Sequence, residues 1–212
     1  MFLWTIQPLD IYNLIIEKGV YRCNPELIQM KEFTEYYNWL VNQMTDRIGK
    51  PPAGVTYPVW AWYIRHWKRR KPDLREERWN WGPGNEDYAC LEIEIPDEDV
   101  VLFDLDAWII ILNNGLLSYT EEEDKQQKEI FDSLSESEQE KYRLANWQRA
   151  FDISPLDSDW ITRGESVQAT FWELKKEQIK KVQIFHTVSR KDDMNRKEKE
   201  AVTICHYGRK SE

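Results

Sequence analysis

A chain of 212 residues has room for one domain with a full apolar core, or at most two very small ones. Its 41% hydrophobic and 32% charged residues, with a mean hydropathy of −0.73, exclude a fibrous or largely disordered protein. A net charge of −9 sets the molecule as a whole against nucleic acid and anionic membrane, although a local basic patch can still attract either.

In chain order, Met1 to Gln7 reads as a short apolar strand, and Pro8 supplies the fixed φ suited to a first helical turn. Ile11, Leu14 and Ile15 at i, i+3, i+4 spacing, with Gly19 beyond, predict a short helix over Leu9 to Lys18. A longer helix is expected from about Pro25 to Ile48, where Phe33, Tyr37, Leu40, Val41, Met44 and Ile48 recur on one face before Gly49-Lys50-Pro51-Pro52. Tyr57 to Arg65 reads as a strand with Trp60, Trp62 and Ile64 on one side. An irregular stretch then runs to about Tyr88. Ala89 to Ile95 alternates Leu91, Ile93 and Ile95 with Glu92 and Glu94, the pattern of a half-exposed strand, and Val100 to Phe103 reads as a further short one.

Asp104 or Asp106 is placed to cap a helix over Ala107 to Asn114, ended by Gly115. Glu121 to Glu140 holds nine acidic and two basic residues and reads as a solvated helical region. Within it Ser135-x-x-Glu138 is a capping-box signature for a helix to about Phe151. Val167 to Leu174 and Gln178 to Val188 read as two strands joined hairpin-fashion by Lys175-Lys176-Glu177. The polar residues from 189 onward read as a tail outside a single domain over 1–188. The expected fold is α+β, with a mostly antiparallel sheet, in one piece or split, packed with helices.

The longest uninterrupted apolar run, Ala107 to Leu112, falls far short of the roughly 18 residues a membrane span needs. Met1 to Pro8 lacks the features of a secretory signal, so a cytoplasmic location is expected. Cys23, Cys90 and Cys205 are an odd, widely spaced set that reads as thiols rather than a disulfide framework.

Three features bear on chemistry. Arg65 to Arg78 carries seven basic residues against three acidic ones, with Trp67, Trp79 and Trp81 inside or beside it. Cationic groups neutralise phosphate while indoles stack on bases, so Arg69, Arg70, Trp67 and Trp79 are candidates for binding nucleic acid or a partner. A solvated loop whose tryptophans plug the core edge accounts for the same composition. His66, His186 and His206 show no zinc-ligand spacing, and no metal is expected. Val100 to Asp106, an apolar strand ending in two aspartates, resembles over seven residues the motif of haloacid dehalogenase-like phosphohydrolases, and helix capping explains the same aspartates.

Leu3 to Gln7 before a helix and Gly19, Tyr57-Pro58-Val59-Trp60-Ala61-Trp62, Leu91 to Pro96, Asp104-x-x-x-Trp108 and Val167 to Trp172 together resemble a bacterial family catalogued as domain of unknown function 3841, over about residues 1 to 187. The order of a strand, a helix, a glycine, an acidic-alternating strand and a late strand followed by a basic connection and Ile179-x-x-Val182 is similar, more distantly, to small ADP-ribosyltransferase-like domains. That resemblance implies NAD as cofactor. It places Thr5 where a first-strand His is expected, Trp62 and Trp4 as the aromatic groups near nicotinamide, and Gln168 near the late-strand Glu position, with Glu165 just before it and Glu173 after. A carboxylate there would meet the cation that develops on the ribose as nicotinamide departs. A neutral Gln168 would do so less well, which makes Gln168 and Glu165 the catalytic candidates. The alternative is a non-catalytic interaction module of a stress, toxin or defence system, binding protein or nucleic acid through the basic, Trp-rich loop.

Overall fold

The computed structural model describes residues 1–23, 31–82 and 84–189. The chain opens with strand β1 (Phe2–Pro8), helix α1 (Leu9–Lys18) and strand β2 (Val20–Tyr21). Pro8 caps α1, and Gly19, at φ 80°, stops it in the left-handed conformation that a side chain resists. Helix α2 (Thr34–Ile48) is preceded by a 3₁₀ turn at Lys31–Phe33. The expected start near Pro25 lies outside the described residues. There follow β3 (Val59–Ile64), a four-residue α3 (Leu74–Glu77), β4 (Asp87–Glu94), β5 (Val101–Asp104) and α4 (Leu105–Leu112).

The acidic region forms two helices, α5 (Glu121–Ser133) and α6 (Glu136–Trp147), the second starting at the Ser135–Glu138 capping box and continued by a 3₁₀ turn to Phe151. Strands β6 (Val167–Phe171), β7 (Leu174–Lys175) and β8 (Ile179–His186) complete the described chain. The expected tail from 189 onward lies, beyond Ser189, outside the described residues.

The fold is α+β. One antiparallel sheet of six strands runs in the order β5-β6-β3-β1-β4-β8, and β2 pairs with β7 as a small separate ribbon. Two expectations are corrected. The last two long strands do not form a hairpin, because β6 lies between β3 and β5 while β8 pairs with β4 on the far edge. Trp172, Leu174 and Lys175 lead the chain out of the sheet and into the ribbon with β2, which leaves no direct turn between them. At the end of α4 the left-handed residue is Asn114, at φ 57°, rather than Gly115, whose amide donates to the Ile110 carbonyl at 2.9 Å.

Both faces of the sheet are packed from β5 to β4, while the edge strand β8 is largely exposed. Leu3, Ala61, Leu91, Ile93, Ala169 and Phe171 pack on one face around Ile15 of α1. On the other, α2, α4 and α6 close an aromatic core over the β5-β6-β3 half, with Trp39, Phe103, Trp108 and Trp147 buried and Trp60 against them. The remaining part of that face, carrying Ile6, Tyr88 and Cys90, is covered by the irregular stretch through Leu74 and Trp81.

Candidate functional site

Strand β3 leads into a two-residue turn. Arg65 and Lys68 exchange backbone hydrogen bonds, N to O, of 3.0 and 3.1 Å, which leaves His66 and Trp67 at the tip with φ of 50° and 62°. Two consecutive left-handed residues match the right-handed twist of a hairpin, but this turn normally takes Asn-Gly. For L side chains the conformation costs roughly 1–2 kcal/mol per residue. It persists because the loop ahead of β6 holds it. The Trp67 amide donates to the Glu165 carbonyl at 2.8 Å, and His66 Nδ1 lies 3.2 Å from Glu165 Oε1.

That loop is anchored in turn. Gly164, at φ 79°, donates its amide to Asp104 Oδ2 at 2.7 Å, and an added Cβ there would sit 2.8 Å from the Ile153 carbonyl oxygen. Asp104 also caps α4 by accepting from the Ala107 amide at 2.9 Å. Burial raises its carboxyl pKa, opposed by those amides. Asp104 is thus a buried cap whose two oxygens each accept from a backbone amide, the capping role that the sequence offered beside the phosphohydrolase resemblance. Thr162 Oγ1 lies 3.0 Å from Asp106 Oδ2 and 3.4 Å from Glu165 Oε2, so Asp106, Thr162, Glu165 and His66 form a polar chain along this end of the sheet.

On the other side of the turn lies a cavity of about 270 Å³ lined by Arg65, His66, Lys68, Arg70, Lys71, Pro72, Asp73 and Glu76. Asp73 is neutralised locally. It caps α3 through the Arg75 amide, and the Arg75 guanidinium grips it, holding its carboxyl well below the usual carboxylate range. Arg65 spans 2.7 Å to Glu77, which is fully buried and also accepts from Trp81 Nε1 at 2.7 Å, and its guanidinium lies 4.7 Å over the Trp62 ring. This clamp fastens the loop to the sheet. Lys71 Nζ donates to Gln183 Oε1 of β8. Lys68 and Arg70 form no ion pair within 4.0 Å among the described residues, and Arg70 acts on Asp73 of the same lining through its charge alone.

Of the four residues expected to contact nucleic acid or a partner, Arg70 lines the cavity and Trp67, 43% exposed, stands at the turn tip outside its lining. Arg69 instead lies 4.4 Å over the Tyr63 ring, and Trp79 is half-buried beneath Arg78.

The NAD candidates divide between the sheet's faces. Trp4, Trp62, Gln168 and Phe103 are successive cross-strand partners and share one face. Thr5 points to the opposite face, where it is 1% exposed and its hydroxyl is satisfied by the Trp60 carbonyl and the Gln7 amide, each at 2.8 Å. Trp4 is buried, its Nε1 without a partner. Trp62 and Gln168 are half-buried, and Glu165 joins the turn through His66.

Nothing in the sequence around His66 pairs it with a carboxylate. Its carboxylate partner lies 99 positions away, and only the pairing of β3 with β6 brings the two together. No group of three or more His, Cys, Asp or Glu able to hold a metal ion occurs among the described residues. No described helix is long and apolar enough to cross a membrane.

The profile of one family, described as a domain of unknown function (DUF3841), matches residues 2–180. No curated protein and no solved structure matches the chain.

Proposed function

Taking as premise that the chain belongs to the DUF3841 family, whose description assigns no activity, we propose that it binds single-stranded nucleic acid through the Arg65–Lys71 turn and the cavity behind it. One observation carries this reading. An exposed Trp67, held in a costly backbone conformation, stands in the turn whose neighbours Lys68 and Arg70 line a cavity and form no ion pair among the described residues. Strain that neighbouring contacts must sustain is concentrated at functional sites. An indole beside cations is the pairing that stacks a base and neutralises its phosphate. The chain's net charge of −9 would limit contact to this local patch and favour a flexible single strand over a rigid duplex.

Fluorescence anisotropy with a labelled single-stranded oligonucleotide, repeated over a salt series, tests the reading. The slope of log K against log salt is about −0.7 per phosphate neutralised on a single strand, and Lys68→Ala with Arg70→Ala should flatten it by about one to two such increments. Trp67→Ala should weaken binding by about 1–3 kcal/mol. Binding unchanged in these variants and insensitive to salt would refute it.

A second reading keeps the ADP-ribosyltransferase-like resemblance. Its support is that β6, β3 and β1 lie side by side with Trp62 and Gln168 paired in register, and Thr5, turned to the other face, is its weak point. The reading expects millimolar NAD to raise the melting temperature and Gln168→Ala to remove that shift; no shift counts against it.

A further inference from the structure

His66 is oriented in a way that cation binding alone does not require. Glu165 engages only Nδ1, at 3.2 Å, and no described group contacts Nε2. A carboxylate at Nδ1 fixes the proton on that nitrogen and leaves the Nε2 lone pair as the base. The ring lines the same cavity as Lys68 and Arg70. The Thr162 hydroxyl, with one proton to give, lies 3.0 Å from Asp106 Oδ2 and 3.4 Å from Glu165 Oε2, and the left-handed turn sets the imidazole at the cavity edge.

We propose that this site cleaves single-stranded RNA by transesterification without a metal, with His66 as general base and Glu165 as its positioning residue. The inference rests on the nucleic-acid reading above. His66 Nε2 takes the proton of a ribose 2′-hydroxyl, and the 2′ oxygen bonds to phosphorus as the bond from phosphorus to the 5′ oxygen breaks. The 5′ oxygen leaves with that electron pair and takes a proton from the Lys68 ammonium. The products are a 2′,3′-cyclic phosphate and a 5′-hydroxyl. His66 returns its proton to solvent and Lys68 regains one, so no co-reactant is consumed. Arg70 and Lys71 face the charge that builds on the non-bridging oxygens.

The test uses the full chain in EDTA with an end-labelled single-stranded RNA and its all-2′-deoxy counterpart. Expected are RNA fragments ending in cyclic phosphate and an all-2′-deoxy strand that is bound but left intact. His66→Asn suits the left-handed position, so the turn is kept; at saturating protein, RNA bound to it should be cleaved at least about 100-fold more slowly in a single turnover. Glu165→Gln should lower the single-turnover rate by about tenfold or more at unchanged affinity, a split that a purely structural role would not produce. RNA that is bound and not cut overturns the inference while sparing the binding reading. Cleavage that persists in His66→Asn overturns it as well, and failure to bind either strand removes both.

Discussion

One face of the sheet presents the same kind of residue in two settings. Over β5, β6 and β3, aromatic rings fill volume: Trp60, Phe103 and Trp108 meet at centroid distances of 5.3–5.9 Å, and Trp39 packs edge-on to Trp147 at 5.5 Å. Two indole N–H groups of this cluster are settled by backbone, Trp147 Nε1 donating to the Gly115 carbonyl at 2.8 Å and Trp172 Nε1 to that of Gly49 at 3.0 Å. Over β1 and the end of β3, tryptophans meet charges instead. Trp81 donates to the buried Glu77, Trp62 lies under Arg65, and Trp67 stands in solvent. The first region is stabilised by packing. The second holds cations and a strained turn in place at some cost in stability.

Four substitutions test this contrast. Trp147→Ala empties a fully buried site and should cost about 3–5 kcal/mol in denaturant unfolding, while the folded fraction keeps its nucleic-acid affinity. Glu77→Ala should cost about 3 kcal/mol, because it strips the Arg65 guanidinium and the Trp81 N–H of their partner; unlike the first variant, it should also weaken salt-dependent binding. If both variants behave alike, the two regions are not functionally distinct.

Trp67→Gly should act with the opposite sign. Glycine adopts the left-handed conformation freely, so the melting temperature should rise by about 2–4 °C, equivalent to roughly 1 kcal/mol, while binding weakens. A lowered melting temperature would mean that Trp67 is a packing residue.

The last effect belongs to the opposite face of the sheet. Burial there, aided by the neighbouring Cys23 and Asp10, raises the Tyr21 hydroxyl from 10.0 to about 12. Its neutral form is favoured in the fold, so its contribution is whole below pH 10 and declines as pH rises towards 12. Tyr21→Phe should flatten that alkaline limb, while variants of the basic turn leave the titration attributable to Tyr21 in place. An unchanged limb in Tyr21→Phe would place the loss elsewhere.

Elements governed by neighbours a few positions away were legible in the residues. Gly19 ended α1 because a left-handed C-terminal residue is a local demand, Asp104 capped α4, and Ser135 with Glu138 opened α6. The alternation of Leu91, Ile93 and Ile95 with Glu92 and Glu94 placed β4, although its start, Tyr88 to Cys90, is buried on both faces. The hairpin expected of the final strands failed, since a polar connection between two strands says nothing about their neighbours. Thr5 failed as a companion to Trp62 and Gln168 because a sheet's period of two puts it on the face away from Trp4.

Composition and short-range spacing therefore determined the α+β class, most element boundaries and a basic, Trp-rich loop as the place to look. Strand pairing and loop packing set Arg70 on the cavity wall and Arg69 over the Tyr63 ring, and bring His66 to a carboxylate 99 residues later. Caps and periodicity are set by interactions within one or two turns of chain. A side chain's partner across a sheet depends on strand order and register, which the whole core selects at once.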